Sequence, residues 1–269
     1  MPTLDTHRGI SRHTRMALVL AVLGVFVLIP GSTMTATAGT AAAARYNQAN
    51  ALYREGEYAR AASAYEDVLG LGVRHGAVYY NLGNAYHKAG RLGQAILAYE
   101  RALKLQPGDE DLAANLRFVN ALKVDRDPEP EGNVAVRFLS RRYRSLSVDG
   151  IAVAFAVCLL ACATVGVAWL FAPHRRVTWV CLLVACCGGL LFAGGLSAAK
   201  IHDREAVVQA VILDEETVGR SGPGSDYLKV FSLHEGTKVT VEREEGGWSL
   251  VRLPNGMGGW ASSGAMEKI

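Results

Sequence analysis

Two uncharged apolar runs, residues 151–172 and 177–199, constrain this chain more than any other feature, and only Pro173, His174, Arg175 and Arg176 separate them. Each run exceeds the roughly 20 residues that a helix needs to cross a hydrocarbon core of about 30 Å. Four residues can only turn the chain back at one membrane face. The spacing therefore predicts a transmembrane helical hairpin over residues 150–200. The competing arrangement, two helices buried in a soluble core, would produce the same apolar pattern. A hairpin returns both flanks to one compartment, so the segments before and after it work on the same side.

With 269 residues, the chain has room for two small domains besides the hairpin. The net charge of +3 is uneven. Residues 45–125 are near neutral and 206–269 are acidic, while the basic surplus sits at the N-terminus and beside the membrane. No domain carries a basic face, which excludes a nucleic-acid partner. All five cysteines, Cys158, Cys162, Cys181, Cys186 and Cys187, fall inside the apolar runs, so no disulfide framework is expected and they read as small packing residues. Neither run holds an acidic or basic side chain, which argues against an ion or proton path.

Residues 1–38 have the layout of a secretory signal: Arg8, Arg12 and Arg15, then a short apolar stretch over 16–30, then small residues ending in Ala36-Thr37-Ala38. An uncleaved anchor is the alternative. Either one exports the segment after residue 39, which puts the hairpin turn in the cytoplasm and both soluble domains on the extracytoplasmic side of a cytoplasmic membrane. Arg137, Arg141, Arg142 and Arg144 outnumber Arg175 and Arg176 and pull the other way. The preceding export signal takes precedence, because it fixes where the first domain goes.

A repeat of period 34 occupies residues 41–124. Ala49, Leu52, Gly56, Ala61 and Tyr65 recur as Gly83, Tyr86, Gly90, Ala95 and Tyr99. Small residues where helices cross and aromatics filling the gaps describe a helix-turn-helix repeat. Leu82, Gly83, Tyr86, Gly90, Ala95, Tyr99, Ala102 and Pro107 resemble the tetratricopeptide (TPR) signature. With a capping helix over 111–124, five stacked helices are expected. The resemblance implies a peptide-binding groove lined by the first helix of each repeat, here carrying Tyr46, Asn47, Asn50 and Tyr53, then Tyr80, Asn81, Asn84 and His87. Asn47 and Asn81 lie one period apart, as do Asn50 and Asn84, and Asn115 falls one period after Asn81. Asparagine is a poor helix former, so its recurrence on one face needs a reason. The amides either hold a peptide backbone or bridge neighbouring helices.

Residues 125–149 read as a charged, proline-containing spacer followed by a basic juxtamembrane segment. There Phe138, Leu139, Tyr143 and Leu146 alternate with arginines that would meet anionic membrane lipid, or simply flank the membrane. In the second apolar run, Gly189/Ala193, Gly194/Ala198 and Gly195/Ala199 are small-xxx-small pairs that pack the hairpin on itself or on a partner helix.

From residue 205 the pattern turns to period two. Strands are expected over 207–212, 238–241, 248–253 and 259–261, with a loop over 219–225 and turns at Glu245-Gly246-Gly247 and Pro254-Asn255-Gly256. Short strands with such turns suggest a small barrel. Residues 220–223, 231–236, Gly247-Trp248 with Val251, and Gly259-Trp260 resemble the bacterial SH3 (SH3b) domain. That resemblance implies binding of a protein or cell-wall peptide in an aromatic cleft, with Tyr227 and Trp248 as the candidate ligand-binding residues. Either tryptophan could instead close the barrel, and Trp260 is read that way.

The expected class is thus multidomain: an all-α TPR array, a two-helix transmembrane hairpin and a small all-β SH3-like barrel. An exported TPR pair, a hairpin and a terminal SH3b domain in this order resemble the BatE-type proteins of the bacterial aerotolerance (Bat) family. The resemblance implies partners among membrane proteins with von Willebrand A domains, and a MoxR-type ATPase nearby. It offers no catalytic motif. The seven histidines are scattered, no Cys/His set has metal spacing and no nucleophile has a recognisable base, so neither catalysis, metal nor cofactor is expected. The reading is a membrane-anchored scaffold, with a peptidoglycan-binding envelope protein as the alternative.

Overall fold

The computed structural model describes residues 36–126, 133, 135, 138, 142–143, 145–171, 175–206 and 208–269. The expected export signal, apart from its last residues, and most of the spacer and basic segment lie outside that set. Two compact units emerge, one containing residues 148–199 and the other joining 34–147 to 200–269.

The second unit opens with five helices: α1 (Ala36–Arg54), α2 (Tyr58–Gly70), α3 (Gly76–Lys88), α4 (Leu92–Leu105) and α5 (Glu110–Leu122). Helix α1 starts at Ala36 and so runs through the expected cleavage junction. Both repeat turns use the same device. Gly56 (φ 83°) and Gly90 (φ 77°) adopt left-handed backbone one period apart. This conformation lets Glu57 N–H reach Leu52 O at 2.9 Å and Arg91 N–H reach Tyr86 O at 2.9 Å, satisfying helix-end carbonyls. Asp109 caps α5 by accepting from Leu112 N–H at 2.9 Å. The small residues fall where helices cross. Ala49, Ala61 and Ala95 are fully buried with Tyr65 and Tyr99, and a methyl group on Gly83 would lie 2.7 Å from the Tyr99 ring.

The same unit ends in a seven-stranded antiparallel sheet of order β3-β2-β6-β5-β4-β1-β7. Its strands are β1 (Val208–Ile212), β2 (Glu216–Arg220), β3 (Lys229–His234), β4 (Lys238–Glu245), β5 (Trp248–Arg252), β6 (Gly258–Ser262) and β7 (Met266–Lys268). Ala210, Ile212, Leu233, Val239, Val251 and Ala261 form its core. The expected loop at 219–225 is corrected by this topology, because Gly219 and Arg220 belong to β2. Gly219 pairs with Phe231, whose ring covers it so closely that a methyl group there would sit 2.2 Å away. Strands β2, β3 and β7 are too short or too polar to show a period-two pattern.

Array and barrel are not separate beads. Val211 is part of the array's core, and Leu213 and Ile269 pack against it. Around that apolar contact, Gly93 N–H donates to Glu235 Oε1 at 2.7 Å, Lys238 pairs with Glu100 at 3.0 Å and Arg101 pairs with Glu267 at 2.7 Å. Asp125, expected to begin a free spacer, is instead a clasp. Its carboxylate accepts from His234 N–H at 2.8 Å, from Thr237 Oγ1 at 2.6 Å, and bonds the His234 ring at 2.9 Å. The barrel therefore docks on α4 and the chain following α5.

The first unit contains α6 (Val148–Phe171) and α7 (Arg176–Ala206) as far as Ala199. Their apolar spans, Asp149–Leu170 and Arg176–Lys200, are long enough to cross a membrane, and only 6 % of each is buried within the protein. Core helices of a soluble protein are mostly buried, so this exposure favours lipid as their surroundings. The small residues of α7 meet α6: a methyl group on Gly189 would come 3.1 Å from Cys158 Sγ, and one on Gly194 3.8 Å from Phe155. Helix α7 continues past the apolar run to Ala206.

Candidate functional site

The first-helix faces of the array carry a tyrosine–asparagine ladder. Within each repeat, a buried tyrosine of the second helix donates to an asparagine of the first: Tyr65 Oη to Asn50 Oδ1, and Tyr99 Oη to Asn84 Oδ1, both at 2.6 Å. Between repeats, Asn81 Nδ2 donates to Tyr46 Oη at 2.8 Å and to Asn50 Oδ1 at 3.5 Å. One period on, Asn115 Nδ2 donates to Tyr80 Oη at 3.0 Å and to Asn84 Oδ1 at 3.3 Å. The recurring asparagines thus bridge helices. Burial, reinforced by the neighbouring Tyr46, pushes the Tyr65 hydroxyl up to about 12, and burial raises Tyr99 further. Both phenols stay neutral donors at physiological pH.

Bridging does not exhaust these side chains. Asn50, Tyr53, Arg54, Tyr65, Asn81 and Asn84 line a groove of about 260 Å³. Among the described residues, Nδ2 of Asn50, Nδ2 of Asn84 and Oδ1 of Asn81 have no hydrogen-bond partner within the chain, although the other end of each amide is held. The ladder therefore fixes the rotamers and presents oriented donors and an acceptor at the groove. Of the other expected groove residues, Tyr46 and Tyr80 serve as ladder acceptors, His87 stacks edge-on against Phe118 at 5.6 Å, Tyr53 does so against Tyr58 at 5.2 Å, and Asn47 is exposed. Tyr65 lines the groove too. Its role was legible only in the Asn50–Tyr65 and Asn84–Tyr99 pairs recurring one period apart.

In the barrel, Tyr227 and Trp248 are not brought together by any ring contact among the described residues. Tyr227 covers Gly222, where a methyl group would lie 2.4 Å from its ring, and is half-exposed. Trp248 opens β5 opposite Ser262. Along β5 and β6 the buried positions are Ser249, Val251, Gly259 and Ala261, so Trp248 and Trp260 point to the opposite face and are half-buried. Neither tryptophan fills the barrel core.

This architecture agrees with family comparisons. A tetratricopeptide repeat model matches residues 46–110 and a bacterial SH3 domain model matches residues 220–267. No curated protein matches the chain. Both modules are of kinds that typically bind protein, or in the SH3 case also cell wall, without catalysis.

Proposed function

We propose that this protein is a non-catalytic scaffold of the bacterial cytoplasmic membrane that holds a partner peptide in the α1/α3 groove, in a Bat-type envelope assembly whose membrane partners carry von Willebrand A domains. The observation that carries the reading is the pre-ordered groove: amides fixed at one end by the ladder and open at the other suit an extended backbone, which needs both donors and acceptors. None of the residues lining that groove belongs to the barrel. The Asp125 clasp supports a shared compartment, since it joins residues that precede and follow the hairpin, and only an even number of crossings permits that bond. Cell-wall binding through the barrel is the second reading, favoured by the outward, half-buried Trp248.

Affinity purification of the full chain from detergent-solubilised membranes tests the first reading. Tyr53→Ala combined with His87→Ala should abolish co-purification of the membrane partner while the protein stays folded. Retention of the partner by that variant would move the recognition surface elsewhere. Saturable binding of the full chain to purified sacculi, lost in Trp248→Ala, would instead establish the second reading.

A further inference from the structure

The two apolar helices bring three of the five free cysteines together. The Cys162 thiol of α6 is in hydrogen-bonding contact with the thiols of Cys186 and Cys187 on α7. Antiparallel packing of the helices dictates this meeting. Phe155 faces Gly194 and Cys158 Sγ faces Gly189, so each turn forward on α6 meets a position about one turn back on α7. The next turn sets Cys162 opposite Cys186 and Cys187. The glycines of α7 let the two backbones come close, as a disulfide requires, since its Cα atoms stand no more than about 7 Å apart. Cys181 falls outside the cluster, because the same register sets it opposite Gly166 and Val167, where α6 has no thiol.

The surroundings of the cluster define its chemistry. Neither apolar run holds an acidic or basic side chain, so nothing beside the thiols stabilises a thiolate. The three residues also lie near the middle of the spans Asp149–Leu170 and Arg176–Lys200. A water-borne oxidant that needs a thiolate is poorly matched to such a place. An oxidant that dissolves in hydrocarbon and takes up protons with its electrons fits it, and quinones are of that class. The donors match pairwise thiol oxidation: among the described residues, no three or more His, Cys, Asp and Glu side chains are arranged to hold a metal ion.

We propose that Cys162 and the Cys186–Cys187 pair are a redox-active thiol site, at which a lipid-soluble quinone oxidises the hairpin to an interhelical disulfide. Two S–H bonds break and one S–S bond forms, between Cys162 and one of its two neighbours. The two electrons and two protons pass to the quinone, which leaves as the quinol. The bridge ties α6 to α7 near mid-span. This site is independent of the peptide groove and of the barrel.

The test uses the full chain in lipid nanodiscs, incubated with a decyl-substituted ubiquinone analogue. Thiols counted with a maleimide–polyethylene glycol reagent after denaturation should fall from five to three and return to five with dithiothreitol. No disulfide-linked dimer should appear on a non-reducing gel, and peptide mapping should join Cys162 to Cys186 or Cys187. Cys162→Ser should keep all four of its thiols, whereas Cys181→Ser should drop from four to two. The double variant Cys186→Ser with Cys187→Ser should keep all three of its thiols, which holds the test should Cys162→Ser fail to fold. An unchanged count in the wild type, or the loss of two thiols from Cys162→Ser as well, would overturn the site. Disulfide-linked dimers in place of the internal bridge would do the same. Bridging by copper phenanthroline but not by the quinone would overturn the quinone reaction.

Discussion

Asn50 and Asn84 show how one residue serves stability and recognition together. Their oxygens are the acceptors of Tyr65 and Tyr99, which are 1 % exposed. Alanine has the better helix propensity, yet Asn50→Ala or Asn84→Ala leaves a buried phenol without its acceptor, at a cost of about 1–3 kcal/mol. Each substitution should lower the midpoint of array unfolding measured by circular dichroism. An unchanged midpoint would mean that the hydroxyl finds another acceptor. Adding Tyr65→Phe to Asn50→Ala should recover part of the loss, since removing both partners leaves nothing unsatisfied. Gly83 is the complementary case. Gly83→Ala places a methyl group against the Tyr99 ring and should destabilise by about 1–3 kcal/mol through overpacking, although glycine is otherwise the weaker helix former.

At the scale of elements, the joint between array and barrel depends on Asp125. Its partial burial opposes ionisation, but the bonds from Thr237 and from the backbone and ring of His234 outweigh this and hold the carboxyl below the usual carboxylate range. A lowered folded value means that ionised Asp125 stabilises the docked state. That contribution is complete above the unfolded carboxylate value of about 3.9 and disappears as the pH falls through the lowered folded value. Amide exchange at His234 and Thr237 should therefore accelerate in acid below about pH 4. Asp125→Asn should make exchange faster at neutral pH and remove its acid dependence at these two amides. Wild-type exchange that stays flat across this range would show that the apolar seam around Val211 alone holds the joint. In the hairpin, Gly189→Leu forces a branched side chain into the approach to Cys158 and should lower the thermal midpoint in detergent. No such effect is expected for Gly188→Leu, where a methyl group meets nothing within 4 Å.

For the molecule as a whole, docking makes both binding modules one body. Helix α7 ends at Ala206 and β1 begins at Val208, so along the chain the barrel comes almost directly after the second apolar helix. Single cysteines at Ser63 and Ser225, in a background lacking the five native thiols, should both react with an impermeant maleimide in intact spheroplasts. Labelling at only one position would break the shared compartment. Labelling at neither would invert the topology.

The period of 34, the glycines at its turns and the two apolar runs were sufficient to specify the helical array and two long apolar helices, because helix periodicity and local helix chemistry act over neighbouring residues. Bacterial SH3 character was legible in residues 220–223 and 231–236 and in the turns and tryptophans around β5 and β6, but β2, β3 and β7 were not legible as strands, because they are set by the partners that pair with them. The recurrence of Asn50 and Asn84 marked a face; which end of each amide is consumed and which remains open required the positions of Tyr65 and Tyr99. Asp125, inside a charged proline-containing stretch, carried no sign of its partners more than 100 residues away. That joint was decided by tertiary structure alone, since a carboxylate becomes a clasp only when folding brings three donors to it at once.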